Sequence, residues 1–325
     1  MVTLRIATRG SPLARWQAEH VAAAVMAVHP GVATELVIVE TTGDRDRATP
    51  LHQLGGQGVF VKEVQAAVLS GRAECAVHSA KDLRSVPTDG LTIAAVPPRG
   101  DARDAIVGKS LAELGTGAVV ATGSVRRRAQ LAAMRPDLRF VELRGNVDTR
   151  LARLDSCDAV VVAAAALDRL GRADRIAERL GTGVVVPQVG QGTLAVECRS
   201  DDGEVLELLV ATDDRASRAV LTAERAWLAQ LGSGCDLPVG AYGSLLHRPD
   251  ASEGPDASEG PGSPDAWGGW GGALHLEGML ASLDGRIVLR DTATGSDPME
   301  LGASLARHQL DAGGRDLLGL AGATG

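Results

Sequence analysis

Seven arginines and no lysine fall between Ala121 and Leu151, in ATGSVRRRAQLAAMRPDLRFVELRGNVDTRL. Thr122, Gly123 and Ser124 after an apolar run read as a strand, a tight turn and a helix cap, so Arg126, Arg127 and Arg128 occupy a first helical turn. The partial positive charge of a helix N-terminus disfavours cations there by roughly 0.3–1 kcal/mol each, and the free N–H groups beside them attract anions. Two readings are open: a binding site for an anion, or a solvated helix face in a chain that writes Arg for Lys. The second explains the choice of arginine but not why the charges gather at turns. Two further groups have chemistry to offer. Lys81 and Asp82 end the run ECAVHSAKD, as an acid–base pair or a surface ion pair. Cys235 lies on the Gly/Ser-flanked turn GSGCDLPVG, as a reactive thiol or a small buried hydrophobe.

Composition narrows the anion. The arginine-rich segment sets its seven cations against Asp137, Glu142 and Asp148, a net of +4 in a chain whose formal charge is −8. A concentrated basic site in an acidic protein suits a small anionic ligand better than a long polyanion. Aromatic residues make up only 2% of the chain, which leaves almost nothing for base stacking. Cys75, Cys157, Cys198 and Cys235 form no C-x-x-C pair and the seven His lack ligand spacing, so neither a disulfide frame nor a metal site is indicated. No apolar run approaches a membrane span, no leader is evident, and the expected compartment is the cytoplasm.

The elements that must position these groups alternate in type. Short β-rich runs (LRIAT, ELVIVE, ECAVH, LTIAAV, AVVA, RFVEL, DAVVVAAAA) interleave with helical patterns such as 12–28 and 59–69, the signature of α/β layers with largely parallel sheets. In such sheets ligands gather at the carboxyl ends of strands, where Arg9–Ser11, Lys81–Asp82, Thr122–Arg127 and Arg144–Asn146 all fall. PPRGDARDA, Pro97–Ala105, reads as a hinge, and VVPQVGQGTLAVECRSDD as the return of the chain to the first lobe. The expected organisation is an α/β lobe of residues 1–98 with 192–212, a second lobe of 99–191, and an α+β domain of 213–325. Inside the last, the tandem PDASEG repeat of about 248–272 cannot bury enough apolar surface to order itself; Trp267 and Trp270 there are read as incidental.

Taken together, IATRGSPLARWQA, TTGDRD, GGQGVFVKEV, AVHSAKDL, GSVRRRAQL, RPDLRFVELRGNVDTRL, ALDRLG, VGQGTLAVECR, TAERAWL and GCDLPVGAYG resemble the hydroxymethylbilane synthase (porphobilinogen deaminase) family, nearly end to end. The resemblance implies two periplasmic-binding-protein-like α/β lobes with a small α+β C-terminal domain, acting as a monomer. It implies a transferase that joins four porphobilinogen molecules head to tail, with loss of ammonia, on a covalent dipyrromethane cofactor. Cys235 matches the residue carrying its thioether, and Asp82 the catalytic aspartate that serves as acid, as stabiliser of the azafulvene cation and as base. Cofactor-binding positions map onto Lys81, Thr122, Ser124, Arg126, Arg127, Arg144, Gln191 and Gly192. Substrate-binding positions map onto Arg9, Ser11, Arg150, Arg169 and Phe60, the last on the Gly-rich segment Gly43–Phe60 that looks like a mobile loop. Arg suits the task because its planar fork pairs with carboxylate. Arg128, Arg135 and Arg139 are not carried over and are expected on a solvated face. The chain departs from the family's common residues at Gly123, Ala166, Ser233 and Arg84. Porphobilinogen is the implied partner; neither nucleic acid nor membrane is.

Overall fold

The computed structural model describes residues 2–45, 61–232, 237–246 and 272–319. Thirteen strands among these residues form three sheets. The first sheet contains β1 (Val2–Arg9), β2 (Val32–Val39), β3 (Cys75–Ser79), β4 (Leu91–Ala95) and, from far along the chain, β10 (Leu194–Arg199), in the order β2-β1-β3-β10-β4. The second contains β5 (Asp104–Gly108), β6 (Val119–Ala121), β7 (Arg139–Val141), β8 (Ala159–Ala163) and β9 (Ile176–Leu180), in the order β7-β6-β8-β5-β9. The third is the meander β11 (Val239–Leu246), β12 (Ala273–Ala281) and β13 (Val288–Gly295).

Neither five-stranded sheet is largely parallel, which corrects the sequence-based expectation. Parallel pairs link β2, β1 and β3, but β10 runs antiparallel to both its neighbours. The second sheet repeats the pattern, with β5 antiparallel between β8 and β9. The physical reason lies in the connections. β5 and β10 are the strands that enter each sheet straight from a crossing between lobes, and a chain arriving from the opposite lobe need not make the helical return that enforces parallel pairing.

The helices α1 (Pro12–Val28), α2 (Thr42–Arg45), α3 (Lys62–Leu69), α4 (Val125–Met134), α5 (Val147–Leu151), α6 (Ala164–Arg169), α7 (Gly203–Val210), α8 (Arg215–Gln230) and α9 (Pro298–Gln309) follow local signals. Ser11 caps α1 ahead of Pro12, Ser124 caps α4 and Asn146 caps α5. Asp202, Asp214 and Asp297 cap α7, α8 and α9, each side chain accepting from free N–H groups of the first turn. The longer helices lay their apolar sides on the sheets: Ala18, Val21 and Val25 of α1 pack with Leu4, Ile6 and Val196, while Trp227 of α8 packs with Leu276 and Leu305. A fully buried Val or Leu contributes about 1.5–3 kcal/mol, so a core almost without aromatics is built from many such contacts.

The two lobes exchange strands through paired segments. Gly100 N donates to Gly192 O at 3.0 Å where the segments cross. Gly192 has φ +84°, and a Cβ there would lie 2.6 Å from Gly100 O, so no larger residue permits so close an approach. Glu224 of α8 locks the third unit to this crossing. Its fully buried carboxylate accepts from Arg99 Nη1 at 2.7 Å, Gly190 N at 2.6 Å and Gly243 N at 2.9 Å.

Candidate active site

Asp82 closes a single 3-10 turn, Ala80–Asp82, at the carboxyl end of β3. It is half-buried and lines a cavity of about 60 Å3 with Arg9 from the end of β1, Ser11 from the cap of α1, and Gln17, His78 and Ser79. The sequence reading therefore brought Arg9, Ser11 and Asp82 to one place. Gln17 and His78 it passed over, although Gln17 is a buried polar residue on the apolar side of α1 and donates to Ser79 Oγ at 2.9 Å.

Across the cleft the second lobe presents its cations. Burial pushes the half-buried Lys81 down to about 8, with Arg127 and then Arg150 adding to the effect while Asp82 and Asp104 oppose it. Burial likewise pushes Arg150 down to about 10, helped by Arg127 and Arg144 and resisted by Asp82 and Glu142. These mutual influences put Lys81 of one lobe within electrostatic reach of Arg127 and Arg150 of the other, and Asp82 within reach of Arg150, which Arg144 neighbours. Arg150 Nε donates to Gly145 O at 2.8 Å, and Arg144 Nη1 is buried without a hydrogen-bond partner among the described residues. A buried guanidinium nitrogen left unpaired is costly unless an acceptor reaches it.

Arg126 and Arg127 are held differently from their neighbours. They are 3% and 5% exposed, and both pair at 2.8 Å with Asp104, which is fully buried at the start of β5. Burial alone would raise the Asp104 carboxyl, but Arg126 and Arg127 first, then Gln191, outweigh it and hold it at about 2. The misplaced charges of the first turn of α4 thus meet a protein carboxylate from another strand. Arg127 also donates to Val161 O, and Arg126 to Val186 O. One carboxylate against two guanidinium groups still leaves positive charge at this end of the cleft.

Thr122 and Ser124 shape the turn into α4: Thr122 Oγ1 accepts from Ser124 N at 3.3 Å, and Ser124 Oγ from Arg127 N at 3.4 Å. Gly123 has no room for a side chain, since Leu143 O lies against the place a Cβ would occupy. Gln191 does not face open space. It is fully buried, donating to Asp104 Oδ1 and Ala102 O at 2.8 Å and accepting from Arg127 Nη2 at 3.3 Å. Arg169 donates to Gly192 O at 2.6 Å and stands 5.7 Å over the ring of Trp16 in the opposite lobe; burial pushes it down to about 10. Among the arginines not carried over, Arg128 and Arg139 are exposed as expected. Arg135 is the exception to a solvated face, because it is half-buried, pairs with Asp137 at 2.7 Å and donates to Leu111 O and Leu114 O. Cys235, Phe60, most of the 43–60 segment and nearly all of the 248–272 segment lie outside the described residues.

The fold and cleft define a class: two α/β lobes joined by paired crossings, with a carboxylate on one wall facing a bank of cations on the other. Comparison with known proteins narrows it. The family model described as porphobilinogen deaminase, dipyromethane cofactor binding domain, matches residues 4–207, and that described as porphobilinogen deaminase, C-terminal domain, matches residues 219–311. A porphobilinogen deaminase of Roseiflexus sp. (strain RS-1) is 46% identical over 322 residues, spanning 97% of this chain and 98% of the relative. That of Acidithiobacillus ferrooxidans is 42% identical, spanning 97% of each. Among solved structures, the methionine binding protein MetQ covers 65% of this chain and 89% of its own at 14% identity, but a TM-score of 0.42 carries no argument. The chain belongs to the porphobilinogen deaminase family, transferases of tetrapyrrole biosynthesis whose larger part is a dipyrromethane cofactor-binding domain.

Proposed function

We propose that this chain condenses four porphobilinogen molecules head to tail, releasing ammonia each time, on a dipyrromethane primer held through Cys235, to give hydroxymethylbilane. The observation that carries the reading is the arrangement of Asp82 and Lys81 on one wall of the cleft against Arg127 and Arg150, with Arg144 beside Arg150, on the other. Burial first, and the neighbouring arginines after it, make these cations unfavourable in the unliganded protein and push Lys81 and Arg150 down. They become favourable when acetate and propionate carboxylates enter, so the residues present fit a cofactor and substrate of that kind.

When bound, the dipyrromethane supplies the anchored ring carbon that receives each incoming unit. Lys81, Arg144 and the buried Nη1 of the latter hold its carboxylates, with Arg126 and Arg127 adding field from behind Asp104 and Thr122 and Ser124 fixing the turn. Gln191 and Gly192 act at one remove, Gln191 by orienting Arg127 and Asp104, Gly192 by keeping the crossing tight. Arg9, Ser11, Arg150 and Arg169 receive the incoming substrate, Arg169 after leaving Gly192 O and Trp16. Asp82 gives a proton path to the departing nitrogen, stabilises the cation left on the substrate through its pyrrole N–H, and takes the proton released when the new carbon–carbon bond forms. On this reading the chain works as a cytoplasmic monomer on a small molecule, with neither nucleic acid nor membrane.

Intact-mass measurement tests the reading. Protein made in cells competent for tetrapyrrole synthesis should carry two added pyrrole units, absent from Cys235→Ala, and Asp82→Asn should keep the addition while losing turnover by about 100-fold or more. An unmodified, inactive wild-type protein would overturn it.

A further inference from the structure

Arg169, on α6 of the second lobe, is held in this structure by two groups that carry no charge. Its neighbour in the chain, Asp168, is committed to Arg179, which donates to its two oxygens at 2.6 and 2.9 Å. Among the described residues Arg169 forms no ion pair; it donates to the Gly192 carbonyl at 2.6 Å and stands 5.7 Å over the ring of Trp16. The first of these partners belongs to the crossing between the lobes, where the same carbonyl accepts from Gly100 N at 3.0 Å. The second stands on α1 of the first lobe, on the turns that bring Ser11 and Gln17 to the Asp82 cavity. The contact is therefore a bridge across the cleft. Its ring is braced, since Trp16 stacks on His20 one turn further along α1, with centroids 4.9 Å apart and planes 8° from parallel. A cation–π contact at a partly exposed site is worth only about 2–5-fold in an equilibrium constant, whereas a carboxylate offers the guanidinium two charge-assisted hydrogen bonds. Burial works against the Arg169 charge until such an anion arrives.

We propose that Trp16 is a positioning residue for the condensation: it parks Arg169 across the unliganded cleft and gives it up when a substrate carboxylate enters. The inference rests on the substrate-binding role given to Arg169 above. The lobes are joined at the crossing, so the Gly192 end of the hold moves little when they part, while the Trp16 end must break. With Arg169 on Trp16 the cleft has a latched resting state. With a carboxylate on Arg169 the guanidinium no longer ties α6 to α1, and the lobes are released to make room. Each incoming unit thus undoes the latch that its own carboxylate replaces. Holding the resting state costs affinity, because substrate must displace Trp16 before it gains Arg169.

Three measurements on the holoenzyme test this. Trp16→Leu keeps apolar bulk on α1 but offers no π face. It should lower KM for porphobilinogen about 2–5-fold with kcat within about 2-fold, and Trp16→Phe should return KM toward wild type. A residue that only packed α1 would, when replaced, lower stability or kcat and leave KM no better. Independently of turnover, phenylglyoxal modification of Arg169 before substrate is added, followed by peptide mass mapping, should be about 2–5-fold faster in Trp16→Leu than in wild type. In an Arg169→Gln background Trp16→Leu should leave KM unchanged, since the parked group is gone. Should Trp16→Leu not fold, Trp16→Gln carries the same expectations. A KM that does not fall, an Arg169 modification rate indifferent to the loss of Trp16, or a Trp16→Leu effect that persists in Arg169→Gln overturns the latch. A wild-type KM in Arg169→Gln alone would instead overturn the substrate-binding role of Arg169, so the two failures are distinct.

Discussion

Replacing Asp104 by asparagine keeps the shape and most hydrogen bonds of a fully buried side chain while removing the one negative charge between Arg126 and Arg127. The Asp104 carboxyl, flanked by the Arg126 and Arg127 guanidinium groups, is held down at about 2 against an ordinary 3.8. A depression of that size corresponds to about 2 kcal/mol of preferential stabilisation of the charged form, and stranding two buried guanidinium groups belongs to the class of change that costs about 3–5 kcal/mol. The expected loss is thus about 2–4 kcal/mol, or about 1 M in the urea midpoint for a unit this size. Because the folded-state value is depressed, the stabilisation is fully present above the ordinary carboxylate value and fades only as pH falls toward about 2. Asp104→Asn should therefore show the same deficit throughout pH 5–9 in urea unfolding followed by circular dichroism. A midpoint within about 0.2 M of wild type at pH 7 would refute the view that this pair holds α4 to β5.

Lys81 should give the opposite pH signature. Its folded-state value, about 8, lies below the ordinary 10.5, so the charge costs stability below pH 8 and the cost disappears as pH rises through 8 to 10.5. Lys81→Met should accordingly melt above wild type at pH 7, with the gap closing by pH 10, in thermal scans of the apoprotein. Arg144→Ala and Arg150→Ala should impair primer assembly or elongation, read as missing or truncated ladders of enzyme-bound intermediates by mass spectrometry; normal ladders contradict the carboxylate roles. Gly192→Ala would force a Cβ to 2.6 Å from Gly100 O at φ +84°, and should destabilise by about 2–4 kcal/mol in thermal unfolding.

What the sequence could reveal followed how local the physics was. Ser11 and Pro12 announce α1, and Ser124 announces α4, because a cap is satisfied within one turn. Strand direction was not legible, since the period-2 pattern of β5 or β10 is the same whichever way the strand runs. The run DAVVVAAAA read as one strand, yet Ala164–Arg169 is helical, because alanine fits either backbone and only packing decides. Within the site, Arg9, Ser11 and Asp82 were legible as strand-end groups. The partner of Arg126 and Arg127 was not: Asp104 lies 22 residues before Arg126, and its only signal was a charge opening the apolar run DAIVG. Gln191, expected to line the cavity, is turned inward for the same reason, since the network it joins is assembled only by the crossing of two distant segments.

The insertion of β10 between β3 and β4 also sets an order of completion during synthesis. All strands of the second sheet lie between Asp104 and Leu180, so that lobe can close as soon as Leu180 has left the ribosome. The first sheet, begun at residue 2, keeps an open gap between β3 and β4 until Arg199 emerges. The lobe that is first in the chain is therefore the second to finish, and its two exposed strand edges are what the nascent chain must keep from pairing elsewhere in the interval.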